Sequence, residues 1–281
     1  MDLLRQQGLP VRALVLRDDE RADQLRATGA EVVIADLTNA SDVVRALAGC
    51  QRMYFGMSVS AAYLEATVIA AAAARERDNL DVFVNISQMT VSQMSLTEMT
   101  GSPQHQQHLL AELVLNWSGL PVVHVRPTVF LENPLFMALV ARSIASDGTI
   151  RLPFGNASTS PIAARDVAEV IAIILTDPAQ HIGKIYELTG PRSLNMTEMA
   201  AEFSAALGRP VTYIDVPFEE WRERELQSLN LPDHVFKHIL TMARLHAESR
   251  YDRRSNDFER ITGHLPMTVR DFVARNAIHF T

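Results

Sequence analysis

Five dipeptides in this chain stand where a bound ligand could be met: Arg17-Asp18, Asp36-Leu37, Met57-Ser58, Ser87-Gln88 and Arg126-Pro127. Each follows a short apolar run, and residues that follow parallel strands line the end of a sheet where ligands bind. A guanidinium after VRALVL can fork onto a ribose 2′-phosphate, whereas an acid there would accept from the free 2′-hydroxyl. Arg17 thus favours NADP over NAD, with Asp18 beside it as a complication; the alternative is an exposed surface arginine. Asp36 could accept from an adenine amino group with Leu37 against the ring. Alternatively it caps the following helix, a role for which Thr38, Asn39 and Ser41 also compete. Met57, Ser58, Ser87 and Gln88 are candidates for cofactor binding by their place after strands.

The elements that must position these residues alternate along the chain. Apolar runs at Val11–Leu16, Glu31–Ala35, Arg52–Gly56, Val82–Ile86 and Pro121–Val125 read as strands, separated by helical patterns at Glu20–Ala27, Ser41–Leu47 and Ala61–Arg77. Such alternation predicts parallel strands joined by crossover helices in a doubly wound α/β sheet. Ser102 and Pro103 open a further helix, with Leu109, Leu113 and Trp117 on one stripe and Gly119 as its stop. Beyond it lie a segment rich in Leu, Phe and Met at Phe130–Ile144, strands at Thr149–Leu152, Lys184–Leu188 and Val211–Val216, and a helix at Ala164–Leu175. Asn195 and Glu198 stand at capping-box spacing ahead of Ala200–Leu207. The expected division is residues 1–127 for dinucleotide binding and 128–281 for a smaller α+β substrate lobe, with strands returning to the main sheet.

Composition narrows the partners. A formal charge of -7 argues against nucleic acid. The densest basic group, Arg250, Arg253 and Arg254, is mixed with Asp252, Asp257 and Glu259. The single cysteine, Cys50, rules out an internal disulfide or cysteine zinc cluster, and no apolar stretch approaches membrane-spanning length. The expectation is a cytoplasmic protein with a small-molecule substrate and no metal, for which a homodimer is one allowed state.

The stretches VRALVLR, EVVIADLTN, RMYFGMS, VFVNISQM, HLLAELVLNWSGLPVVHVRPT, IRLPFGNASTSPIAARDVA and GKIYELTGP resemble the NmrA-like, atypical short-chain dehydrogenase family, over essentially the whole chain from Val11. The resemblance implies a Rossmann domain with a smaller substrate lobe, a preference for NADP(H) with NAD(H) as the alternative, and a redox or redox-sensing role; members include NAD(P)H-dependent quinone and azo-compound reductases. In the place of the family serine, Ser87 could hydrogen-bond substrate or a nicotinamide carboxamide, or simply cap backbone.

Two departures stand out. Ordinary short-chain dehydrogenases pair a Tyr with a Lys four residues on, the Lys lowering the Tyr pKa; the matching helix here carries His108 and Glu112. These share a face, and His108 could donate a proton with Glu112 raising its pKa, or be a surface residue making an i,i+4 contact. Quinone or azo reduction could proceed without Tyr and Lys, because the cofactor supplies the chemistry and the protein the placement. Phe130, Phe136, Met137, Phe154, Phe218 and Trp221 could line an apolar pocket for it, with core packing as the other reading. The second departure is at the start, where Met1–Gly8 looks like the last turns of a pyrophosphate-binding helix and no glycine-rich loop occurs. The expectation is an absent strand between Val11–Leu16 and Arg52–Gly56, and weak NADPH binding as a result. Three roles follow: a reductase, a non-catalytic NADP(H) sensor, and a nucleotide-sugar epimerase or reductase, which the missing Tyr and Lys count against.

Overall fold

The computed structural model describes residues 1–280, apart from the side chains at 134–136 and 138. The apolar runs of the first half become β1 (Arg12–Val15), β2 (Glu31–Ile34), β3 (Arg52–Phe55), β4 (Val82–Ile86) and β5 (Val122–Pro127). Between them lie α2 (Glu20–Ala27), α3 (Ala40–Ala46), α4 (Tyr63–Arg77) and α5 (Pro103–Trp117), after an opening turn α1 (Asp2–Gln6). Later elements are α6 (Pro134–Asp147), β6 (Thr149–Leu152), β7 (Ser158–Thr159), α7 (Ala164–Thr176), β8 (Ile185–Leu188), β9 (Leu194–Asn195), α8 (Met196–Leu207) and β10 (Thr212–Asp215). The chain then turns helical through α9 (Phe218–Trp221), α10 (Asp233–Ala247), α11 (Asp257–Thr262) and α12 (Val269–Arg275).

The class is the expected Rossmann-like α/β arrangement of parallel strands and crossover helices. β3, β4, β5 and β8 form one sheet in that order, and β1 pairs with β2 in a separate parallel ladder. Among the described residues no ladder joins β1 to β3. Local signals set the helix ends. Asp19 accepts from the N–H groups of Arg21 and Ala22 to start α2, Asn39 from that of Asp42 to start α3, and Asn195 with Glu198 forms the expected capping box of α8.

The chain divides into two compact units, and they interleave: the first takes residues 1–87, 107–125 and 168–186, the second 88–106, 126–167 and 187 onward. The sequence reading cut the chain once, after residue 127; by contacts, residues 88–106 fall in the second unit and 168–186 in the first. The reason is that crossover connections return. α5 and α7 both run into the first unit from segments that begin in the second.

In the first unit Phe55, Tyr63, Phe83 and Leu115 close on the alanine face of α4, where Ala66, Ala70, Ala73 and Ala74 let the backbones approach. The second unit has its own core around Ile150, Leu152, Phe203, Trp221, Phe272 and Phe280. Its sheets are small: β6 with β10 in parallel, and β7 with β9 antiparallel. Trp221 ends α9 where the chain passes into a turn of π-helix, Arg222–Leu226. Such turns are rare and concentrate at functional sites.

Candidate functional site

In the first unit the strand ends separate the candidates by what holds them. Arg17, after β1, is exposed and makes no ion pair among the described residues, and Asp18 beside it pairs with Arg26 at 2.6 Å. Asp36 is committed to its own loop. Its Oδ1 accepts from Thr38 N at 2.8 Å and Thr38 Oγ1 at 2.7 Å, which holds the carboxyl below the usual carboxylate range, while Asn39 caps the helix that follows. Leu37 and Met57 pack half-buried against the core of this unit, and Ser58 is exposed. Between β3 and Met57, Gly56 has no room for a side chain: a Cβ there would overlap the Tyr54 hydroxyl and lie 2.9 Å from Ile86 Cγ2.

Ser87 is the informative strand-end residue. It is 5% exposed, and its N–H donates to Val125 O at 2.7 Å, which continues the ladder past β4. Its Oγ is buried and has no hydrogen-bond partner. The backbone-capping reading is thereby set aside. Gln88, the first residue of the second unit, likewise buries an Nε2 with no partner.

His108 and Glu112 both lie on the buried face of α5, at 8% and 3% exposure, so the surface reading of His108 is corrected. So is the stripe that carried it. Leu109 is buried, but Trp117 is 74% exposed, because the inward face runs through His105, His108, Ala111, Glu112 and Leu115 and includes polar residues. His108 packs on Tyr63 with ring centroids 4.1 Å apart. Tyr63, fully buried at the start of α4, donates from its hydroxyl to Ile86 O at 3.0 Å, one residue before Ser87. Burial raises the pKa of that phenol, so it stays protonated and structural at neutral pH. A second hydrogen-bonded chain runs from buried Asn85 on β4 through buried His124 on β5 to exposed Asn116 on α5: Asn85 Nδ2 donates to His124 Nδ1 at 3.0 Å, and His124 Nε2 then donates to Asn116 Oδ1 at 3.0 Å. These partners fix one neutral tautomer. Neither Tyr63 nor this chain was singled out in the sequence, although an Asn in VFVNI and a His in PVVHV, polar residues inside apolar strands, were the available signal.

The second unit holds a partly open cavity of about 70 Å³. Of the aromatic residues expected to line a pocket, Phe130, Phe154 and Trp221 do so. Met137 and Phe218 pack against the core instead, and Phe136 lies outside the described side chains. Thr159 and His246, which the sequence reading passed over, complete the wall. Among the described residues no group of three or more His, Cys, Asp or Glu could hold a metal, and no helix is long and apolar enough to cross a membrane.

The model of the NmrA-like family matches residues 1–272. This chain belongs to that family. An NAD(P)H azoreductase from Xenophilus azovorans is 29% identical over 235 residues, covering 83% of this chain and 77% of the relative. Two solved structures share the NmrA-like fold. One is an NADPH-dependent quinone oxidoreductase from Escherichia coli complexed with NADPH, with TM-score 0.80 and 22% identity over 97% of this chain and 93% of that one. The other is NmrA, a negative transcriptional regulator, in complex with NADP, with TM-score 0.77 and 18% identity over 97% of this chain and 90% of that one.

Proposed function

We propose that this protein is an NAD(P)H-dependent reductase of a small organic acceptor, a quinone, an azo compound or a similar molecule, with NADP(H) as its dinucleotide. The observation that carries the reading is Ser87: a buried hydroxyl at the carboxyl end of an inner strand with no partner of its own. The kinship with an azoreductase supports the choice of acceptor. The residues present suit the dinucleotide at two points. Arg17, exposed and without an ion pair, offers a fork to a 2′-phosphate, and Ser87 Oγ offers a hydrogen bond to a carboxamide or substrate. Gln88 is next to Ser87 in the chain, and Met57 and Ser58, which follow β3, are assigned to the same site by their place after a strand. Asp36, already satisfied by Thr38, keeps a second carboxylate oxygen for an adenine amino group.

A bound dinucleotide would supply the hydride; this chain has to place the acceptor, exclude water and return a proton. We assign the proton to His108, the ionisable ring packed against Tyr63. Reduction of a quinone to a hydroquinone would then balance as one hydride and one proton, the proton coming from His108, which recovers it from solvent. Dinucleotide binding is assigned to the first unit and acceptor recognition to the second, in a cytoplasmic protein for which a homodimer is the proposed assembly.

A second reading, a sensor that binds NADP(H) without turnover, is favoured by the likeness to NmrA. Loss of NADPH absorbance at 340 nm with added benzoquinone derivatives or azo dyes decides between them. Catalytic consumption supports the reductase. Saturable dinucleotide binding with no consumption across the acceptor panel refutes it.

A further inference from the structure

Trp221 holds a polar atom for which the described residues provide no partner. Its indole is 2% exposed, and Nε1, which can only donate, meets no acceptor. Thr159 on β7, 3% exposed, is in the same condition at Oγ1. Both line the cavity of the second unit. Buried donors are nearly always satisfied in folded proteins, and two in one wall make that wall a place for an acceptor brought from outside.

His246 supplies the complementary group. Its Nδ1 lies 2.9 Å from Met242 O; a carbonyl only accepts, so Nδ1 carries the hydrogen and Nε2 is left as a lone pair. The ring is held on both sides, stacked on Phe154 at 4.5 Å and packed on Tyr251 at 4.2 Å. Burial pushes its pKa down to about 4, which keeps the lone pair available at neutral pH. Apart from Asn133 the remaining wall is apolar, with Phe130, Leu152, Met196, Met199 and Ile239 among its residues. Methionines and aromatic rings of this kind suit a flat, polarisable guest. Since one water needs roughly 10 to 15 Å³, a cavity of about 70 Å³ takes the volume of a few waters, on the scale of a single ring.

We infer that this cavity binds a single-ring aromatic molecule bearing an oxygen, with the ring among Phe130, Phe154 and the methionines and the oxygen accepting from both Trp221 Nε1 and Thr159 Oγ1. A phenol satisfies His246 Nε2 as well, by donating to it; a monocyclic quinone presents the acceptor oxygen alone. The inference deepens the reductase reading by naming what the second unit takes, and it rests on that reading only for the claim that the guest is reduced.

Phenol and toluene form the test pair, because they match in size and differ by a hydroxyl in place of a methyl. The chain has two tryptophans, Trp117 at 74% and Trp221 at 2% exposure, so Trp117→Phe leaves the cavity wall as the sole indole emitter. Each compound is titrated into that variant without dinucleotide, with calorimetry as the second readout. A purely apolar cavity prefers toluene by roughly tenfold or more, because the hydroxyl resists leaving water. The expected result is saturable binding with phenol at least as tight as toluene. Trp221→Phe, read by calorimetry, should then lower the phenol-to-toluene preference by about fivefold or more. Should that variant fail to fold, Thr159→Val should lower the preference in the same direction. Toluene preferred by the parent, an unchanged preference in a folded Trp221→Phe or in Thr159→Val, or no saturable binding of either compound would overturn the inference. None of these outcomes depends on NADPH consumption, so failure here and failure of the reductase reading are separate results.

Discussion

At Arg17 the free guanidinium makes a selective prediction. Arg17→Ala should weaken NADPH by about 1.5 to 3 kcal/mol, the range for a hydrogen bond to a charged group, and leave NADH nearly unchanged; paired titrations check it, and equal losses refute it. Ser87 makes a prediction of opposite signs. Its Oγ has no partner in the protein, so Ser87→Ala should melt at the same temperature or higher, while NADPH binding weakens by about 0.5 to 1.5 kcal/mol. A drop in melting temperature would mean the hydroxyl serves the fold. For His108, replacement by Phe keeps an aromatic ring against Tyr63 and removes the proton, so kcat should fall roughly 100-fold with dinucleotide affinity held. Near-normal kcat returns His108 to packing. Sequence reading proposed Arg17 and Ser87 from their place after strands, and His108 from the family resemblance. It did not show which polar atoms are already satisfied, as Asp36 is by Thr38, since that depends on loop geometry two residues away.

Elements were legible where the local signal is strong. The capping box at Asn195 and Glu198 and the proline-led start of α5 both fall where expected. The stripe through Trp117 failed because an amphipathic count scores residue type, whereas α5 turns His108 and Glu112 inward and leaves Trp117 to solvent. Short connections were also opaque. Gly190, after β8, comes so close to Pro161 that a Cβ would overlap the Pro161 carbonyl oxygen, and its N–H donates to Ser160 O at 3.1 Å. Both partners are backbone, so neither yields by a side-chain rotation. Gly190→Ala should destabilise by about 1 to 3 kcal/mol, the range for overpacking, as measured by urea unfolding. A loss within error of zero would show that the turn moves aside.

For the whole molecule, acid is the informative perturbation. His238 and His246 are buried, and burial pushes each pKa down to about 4. An unfolded histidine titrates near 6.5, so between these values the unfolded chain binds more protons than the folded one, and stability falls as pH drops through that window. At pH 5 the loss is about 2 kcal/mol per ring, and it levels off below about pH 4. Urea midpoints at pH 7 and pH 5 measure it. His238→Gln should reduce the difference between them by about half, and an unchanged difference would clear His238 of the effect. The fold class could be read from the chain because alternating periods of two and 3.6 leave few architectures. The division into units could not, because it depends on which distant segments meet, as at 107–125 and 168–186.

Interleaving also bears on how the chain is made. The first unit needs residues up to 186, so on a ribosome its early strands must wait while the stretches 88–106 and 126–167, which belong to the second unit, are synthesised. Domains usually fold as units during synthesis, N-terminal first. Here that order is unavailable, and the nascent β1 to β4 region is a substrate for chaperones or for aggregation until α7 arrives. For the same reason, a fragment ending at residue 127 would not reproduce the first unit, and a heterologous host would be expected to deliver more soluble protein when translation is slowed or cooled.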